Sequence, residues 1–213
     1  RFTRYTEKDG LPNNSVNGIL VDRNNNNWLS TNRGLSRFDP RKESFKSFDA
    51  SDGVQGDEFN QGAFAKGPEG TLYFGGINGI NAFDPDSIRD NMFVPPIVIT
   101  RFKVFEELRS FTQSRTYHIT LSYEESFFSF EYAALDFTAP EKNQYAYKLD
   151  GLDKDWVYAG TRRYASYTHV DPGDYAFHVK GTNNDGIWNE QGILVYVTIV
   201  PPYWKMWWFK VLI

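Results

Sequence analysis

The sequence predicts an all-β chain, in which the last blades of a β-propeller are followed by an Ig-like antiparallel β-sandwich. Two patterns carry that expectation. One is a 45-residue repeat before Pro95-Pro96, and the other is a series of period-two alternations after it, each run bounded by turn residues. Composition agrees. Aromatic residues make up 17% of the 213 positions and Leu is scarce, as suits pleated faces covered by aromatic and β-branched side chains.

In the first part, Trp28-Leu29-Ser30-Thr31-Asn32-Arg33-Gly34-Leu35-Ser36-Arg37-Phe38-Asp39-Pro40 recurs as Tyr73-Phe74-Gly75-Gly76-Ile77-Asn78-Gly79-Ile80-Asn81-Ala82-Phe83-Asp84-Pro85. The offset is 45 at Trp28/Tyr73, Gly34/Gly79, Phe38/Phe83 and Pro40/Pro85, and again at Ile19/Phe64. A period of this size built from short strands marks propeller blades, each a four-stranded sheet. In the first unit, strands are expected at 18–21, 27–31, 35–38 and 45–48. Asn32-Arg33-Gly34 and Asn78-Gly79 supply the tight hairpins. Two units do not close a propeller, so further blades are expected upstream of Arg1. The wording of the repeat, with an aromatic strand, a Gly-Leu turn and an Asp-Pro exit, resembles the regulator-propeller repeat. The second copy departs from it, with Tyr73 in place of Trp and Gly75-Gly76 in place of Ser30-Thr31.

A change of character near Pro95-Pro96 divides the chain. The expected domains are two C-terminal propeller blades at 1–94, a sandwich at 95–202 and a separate C-terminal segment at 203–213. Residues 86–96 read as a stiff connection, because two successive prolines lack backbone donors and favour extended geometry. The first sandwich strand is expected at 97–105, with Val98, Phe102 and Val104 on one face. Further strands follow at 117–121 and 126–132, the latter with Phe128, Phe130 and Tyr132 on one side against Ser129 and Glu131.

The stretch 144–188 is the most demanding. Tyr145, Tyr147 and Leu149 alternate with Ala146, Lys148 and Asp150 before the Asp150-Gly151 turn. The chain resumes at Asp155-Trp156-Val157-Tyr158 and re-enters a strand near Ser166-Tyr167-Thr168. It then turns at Asp171-Pro172-Gly173. Tyr175, Phe177 and Val179 next alternate with Ala176, His178 and Lys180, and Asn183-Asn184-Asp185-Gly186 closes the run ahead of Trp188. A last strand is expected at 193–200, giving about seven strands in an Ig-sized domain.

The order Tyr145, Tyr147, Gly151, Trp156, Gly173, Tyr175, Asp185, Gly186 and Trp188 resembles the triple-tyrosine domain. A generic Ig-like or fibronectin-like sandwich is the plainer alternative. The resemblance implies the membrane-proximal sandwich of a periplasmic sensor in a two-component histidine kinase, including hybrid sensors of gut Bacteroidetes, with propeller blades directly before it. It further implies homodimerisation through the sandwich, an oligosaccharide ligand in the propeller region, and no catalysis in this segment.

Residues 203–213 combine Tyr203, Trp204, Trp207, Trp208 and Phe209 with Lys205 and Lys210. Aromatics and snorkelling lysines concentrate at membrane interfaces, so the segment reads as the start of a transmembrane helix anchored in the inner membrane. It is shorter than the ~20 residues a span needs. An amphipathic tail, or a strand packing back on the sandwich, is the alternative.

Little in the sequence points to other chemistry. A net charge of −4 with no basic helix argues against direct nucleic-acid binding. There are no cysteines, so disulfides and thiol catalysis are excluded. His118, His169 and His178 are too scattered for a metal motif, no cofactor motif is present, and no catalytic residues are assigned. Asp49, Asp52, Asp57 and Glu58 read as a turn rather than a glycosidase pair, and Asn24 to Asn27 as a polar turn tip rather than a calcium loop. Asn32 and Arg33, on a propeller hairpin, are the candidates for hydrogen-bonding a sugar. A secreted carbohydrate-binding or adhesive module is the alternative to a sensor.

Overall fold

The computed structural model describes residues 2–110, 117–205 and 209. It divides into two compact units, Arg1–Asp90 and Asn91–Ile213.

In the first unit, β1 (Val16–Val21), β2 (Asn27–Thr31), β3 (Gly34–Asp39) and β4 (Ser44–Phe48) form an antiparallel meander in sequence order. Gly34 makes the hairpin possible. Its φ is 89°, and an added Cβ would overlap the Phe48 carbonyl oxygen on the neighbouring strand. The second sheet, β5 (Phe59–Lys66), β6 (Leu72–Gly76) and β7 (Gly79–Phe83), has three strands rather than the four expected of a blade. After β7 the chain turns through a short 3-10 segment, Pro85–Ser87, capped by Asp84. Asp90 then takes hydrogen bonds from Arg37 at 2.9 Å and Lys46 at 3.0 Å, so side-chain bonds hold this stretch where a fourth strand would use backbone ones.

The two sheets share one core. Trp28, Leu35, Phe59, Leu72 and Phe74 are buried together, with Phe48 and Phe83 against them. The Trp28 ring lies 5.4 Å from Phe48 and 4.9 Å from Phe83. Its polar edge is satisfied, because Nε1 donates to Asp22 Oδ2 at 3.0 Å. Asp22 also accepts from the Asn24 and Asn26 amides and from Asn26 Nδ2, at 2.8, 2.9 and 2.9 Å. Burial by itself would raise this carboxyl, but the bonds from Asn26, Trp28 and Asn24 outweigh it and hold the group below the usual range.

The second unit packs a five-stranded sheet against a four-stranded one. β10 (Tyr117–Ser122), β16 (Trp188–Val200), β15 (Gly173–Thr182), β12 (Tyr145–Asp150) and β13 (Val157–Gly160) lie in that order. They face β14 (Tyr164–Thr168), β11 (Phe127–Ala134), β8 (Ile97–Val104) and β9 (Glu107–Leu108). The described sandwich therefore has nine strands rather than about seven. One pair, β10 with β16, is parallel, a departure from the expected antiparallel pattern. The Phe130 and Phe177 rings stack across the core at 4.3 Å, one from each sheet.

Strand β8 corrects a face assignment. Arg101 pairs with Glu131, but the next pair is Ile99 with Tyr132, so Thr100 is an extra residue on the β8 side. The bulge reverses the alternation. Ile97 and Ile99 join Phe102 and Val104 in the core, and Val98 is only half-buried.

Residues 91–96 are part of the second unit rather than a connection. Asn183 Nδ2 donates to the carbonyls of Asn91 and Phe93 at 2.6 and 2.8 Å. Asn189 Nδ2 donates to Pro95 O at 2.9 Å, and the Leu135 amide donates to Pro96 O at 2.9 Å. Pro95 is buried. The division between units accordingly falls after Asp90 and not after residue 94.

Candidate functional site

At the β2–β3 turn, Asn32 and Arg33 are both exposed. Thr31 Oγ1 donates to Gly34 O at 2.8 Å and accepts from the Arg33 amide at 2.9 Å, which fixes the turn. Asn17 Nδ2 donates to Asn32 Oδ1 and to Phe59 O, both at 2.7 Å, tying the hairpin tip to the second sheet. At the corresponding β6–β7 turn, the Asn78 amide donates to Gln55 Oε1 at 2.7 Å, while Gln55 Nε2 donates to Glu58 O at 2.9 Å. Amide and guanidinium groups thus gather around the hairpins. Sequence reasoning missed Asn17 and Gln55, because an isolated amide in a loop carries no periodic signal. Asp49 caps the 3-10 turn Ala50–Asp52 through the Ser51 amide, and Asp57 gives its carbonyl to the Gly34 amide. That acidic stretch is turn chemistry. Among the described residues no three His, Cys, Asp or Glu side chains group as metal ligands.

In the sandwich, the signature residues fall into four structural roles. Tyr145 and Tyr147 are core residues whose hydroxyls reach partners. Tyr145 OH accepts from the Ala134 amide at 3.1 Å, linking the two sheets, and Tyr147 OH accepts from Arg162 Nη2 at 2.8 Å. Neighbouring Tyr167 donates to Asp153 Oδ2 at 2.9 Å, and burial together with that carboxylate raises its hydroxyl pKa. Burial likewise raises that of Tyr132.

Gly151, Gly173 and Tyr175 form a corner. Gly151 has φ 97°, and an added Cβ there would meet the Tyr175 ring at 3.0 Å. Tyr175 OH donates to Asp171 O at 2.9 Å, closing the turn ahead of its own strand. Asp185 and Gly186 belong to the loop that captures residues 91–96. Asp185 Oδ2 accepts from the Asn91 amide at 2.6 Å, and Asn91 Nδ2 donates to Asp136 and Asn184 at 2.7 and 2.8 Å. Gly186, at φ 81°, turns this loop back into β16.

Trp156 and Trp188 clamp Lys180 from two sides. Its ammonium lies 4.8 Å and 5.1 Å from the two ring centroids, and its charge is met by Glu190 at 2.7 Å. Ala146, on the outward side of β12, is fully buried. Beside this cluster, His178 Nε2 lies 3.0 Å from Asp150 Oδ2. The Lys148 bond, ahead of the pull of His178, holds the Asp150 carboxyl below its usual range.

Past β16, Tyr203 and Trp204 are exposed and edge-on to each other, and Trp204 also meets Tyr123 at 5.3 Å. The other expected membrane-entry residues, 206–208 and 210–213, lie outside the described residues. Among those described, no helix is long and apolar enough to cross a membrane.

Residues 136–200 match the Y_Y_Y domain family. Over 95% of its length the chain is 33% identical to Histidine kinase P4 of Formosa agariphila, and it covers 15% of that protein. It also superposes, at TM-score 0.83 and 29% identity, on the crystal structure of the extracellular domain assigned to the hybrid two component system BT3049 of B. thetaiotaomicron. That match covers 93% of this chain and 28% of the other. The chain thus spans a minor part of both relatives. The part of BT3049 that this chain matches is an extracellular domain, and the chain shares its all-β fold.

Proposed function

We propose that this segment, whose residues 136–200 match the Y_Y_Y domain family and which resembles the extracellular domain of a two-component sensor, is the periplasmic relay of a sensor histidine kinase. The observation that carries the reading is the BT3049 superposition, which extends over both units rather than the sandwich alone. In this reading an oligosaccharide binds in the propeller region, where Asn32, Arg33 and their amide neighbours hydrogen-bond its hydroxyls. Binding biases the placement of two sandwiches in a homodimer. Strand β16 then passes the shift through Pro201-Pro202 to a membrane helix beginning in residues 203–213, and so to a phosphorelay that controls transcription. The ligand moves the equilibrium only by its difference in affinity for the two arrangements.

The test is a flexible Gly-Ser spacer inserted after Val200 in the full-length protein. Ligand-dependent kinase output should be lost while ligand binding stays intact. Unchanged signalling would remove the relay through β16 from the account.

A further inference from the structure

Topology gathers one set of loops at the end of the sandwich where the chain leaves it. β10 and β16 run parallel and finish together at Ser122 and Val200. β15 begins beside them, with Gly173 paired to Ile199, and the last pair of β12 is Asp150 with Ala176. In the facing sheet, Phe127 at the start of β11 is paired with Thr168 at the end of β14, and Phe128 with Val104 at the end of β8. The turns at 105–106, 123–126, 151–156 and 169–172 therefore share the end from which residues 201–205 depart.

Several of these tips are apolar and exposed. Phe105 is 50% exposed and Leu152 49%, alongside Tyr203 at 57% and Trp204 at 44%. Phe105 is also an unusual choice. It occupies a two-residue hairpin between Val104 and Glu107 with φ 54°, a conformation that favours Gly or Asn and disfavours a bulky side chain. Tyr123, from another of these turns, packs against Trp204, which joins that turn to the departing chain.

We propose that Phe105 and Leu152 seat this end of the sandwich on a lipid surface, entering the headgroup layer beside Tyr203 and Trp204. The inference rests on the membrane reading of residues 203–213, whose run of aromatics with Lys205 and Lys210 is the composition of an interfacial segment. Charge sets the kind of surface. The same turns carry Glu106, Glu124, Glu125, Asp153, Asp155 and Asp171 against Lys154, with Lys205 in the departing chain, so the contact is driven by apolar tips and weakened by anionic lipid. Docked this way, the sandwich is fixed in orientation over the bilayer as well as tethered to it.

The absence of cysteine permits a clean experiment on the whole chain. Single variants Phe105→Cys, Leu152→Cys, Lys205→Cys and Phe137→Cys are labelled with an environment-sensitive fluorophore and mixed with zwitterionic phosphatidylcholine vesicles. Phe137 is 81% exposed and follows the opposite end of β11, near Ile97, so it serves as the control. Blue shifts are expected at 105, 152 and 205 but not at 137, and they should shrink when phosphatidylglycerol is added. The double variant F105S/L152S should bind the vesicles roughly tenfold more weakly with an unchanged thermal midpoint. A shift at 205 alone keeps the membrane reading and overturns the seating of the turns. No shift anywhere overturns both. An equal shift at 137, or shifts at 105 and 152 that appear with protein concentration in the absence of vesicles, overturns the proposal in favour of non-specific adsorption or self-association.

Discussion

Replacing Asp22 with Ala removes the acceptor for four hydrogen bonds at once, from two backbone amides, Asn26 Nδ2 and Trp28 Nε1. The loop donors near Asn24 and Asn26 regain water, but the Trp28 indole is buried and does not. An unsatisfied buried donor costs about 1–3 kcal/mol, and with the loss of the charged acceptor in the loop the total should be about 2–4 kcal/mol. Asp22→Asn should lose a similar amount, since its NH2 would point at a donor. The assay is native-state hydrogen exchange at β2 and β3 amides, which reads the opening of this unit separately from the sandwich. Protection should fall by roughly 30- to 1,000-fold. In a Trp28→Phe background part of the loss should disappear, as a double-mutant cycle requires for groups in contact. The sign with pH follows from a folded-state pKa held below the ordinary value. The stabilisation is complete above the unfolded carboxyl pKa and is lost as pH falls through the folded one, so the gap between wild type and Asp22→Ala should close below about pH 4. A protection change under about threefold at neutral pH would refute the reasoning.

Three further outcomes can be checked directly. Asn91→Ala should destabilise the sandwich by about 2–3 kcal/mol, because Asp136 and Asn184 lose partners in a part-buried network; limited proteolysis within residues 91–96 should accelerate, and urea unfolding reads the energy. Gly34→Ala should lower the stability of the first unit by about 1–3 kcal/mol through its positive φ and the overlap with Phe48 O, seen as reduced exchange protection in β3 and β4. Lys180→Ala should cost about 1–2 kcal/mol in thermal or urea unfolding, whereas Lys180→Met, which keeps the stem between Trp156 and Trp188, should recover part of the loss.

How far the sequence carries depends on whether a feature is local. The strands of the first blade were legible because alternation and the Gly34 hairpin are properties of neighbouring residues. The four-strand count was not transferable to the second sheet, because whether residues 89–93 pair as a strand depends on what Arg37 and Lys46 do with Asp90, more than forty residues away in the chain. Asn183-Asn184-Asp185-Gly186 was readable as a turn. Its capture of residues 91–96 was not, since the partners are about ninety residues apart. The same holds for Pro95-Pro96, whose stiffness was evident but whose docking on Asn189 and Leu135 was not.

What the sequence determined alone is the all-β class, the repeat and the identity of the core aromatics, because period and turn chemistry act within a few residues. Tertiary structure decided the Thr100 bulge that reverses one face of β8, the parallel pairing of β10 with β16, and the clamp of Trp156 and Trp188 on Lys180. It also decided which apolar turns share an end with the departing chain. Each of these depends on which distant strand lies alongside, and pairing across a sheet is settled by burial summed over the whole sandwich, a quantity no short window of residues contains.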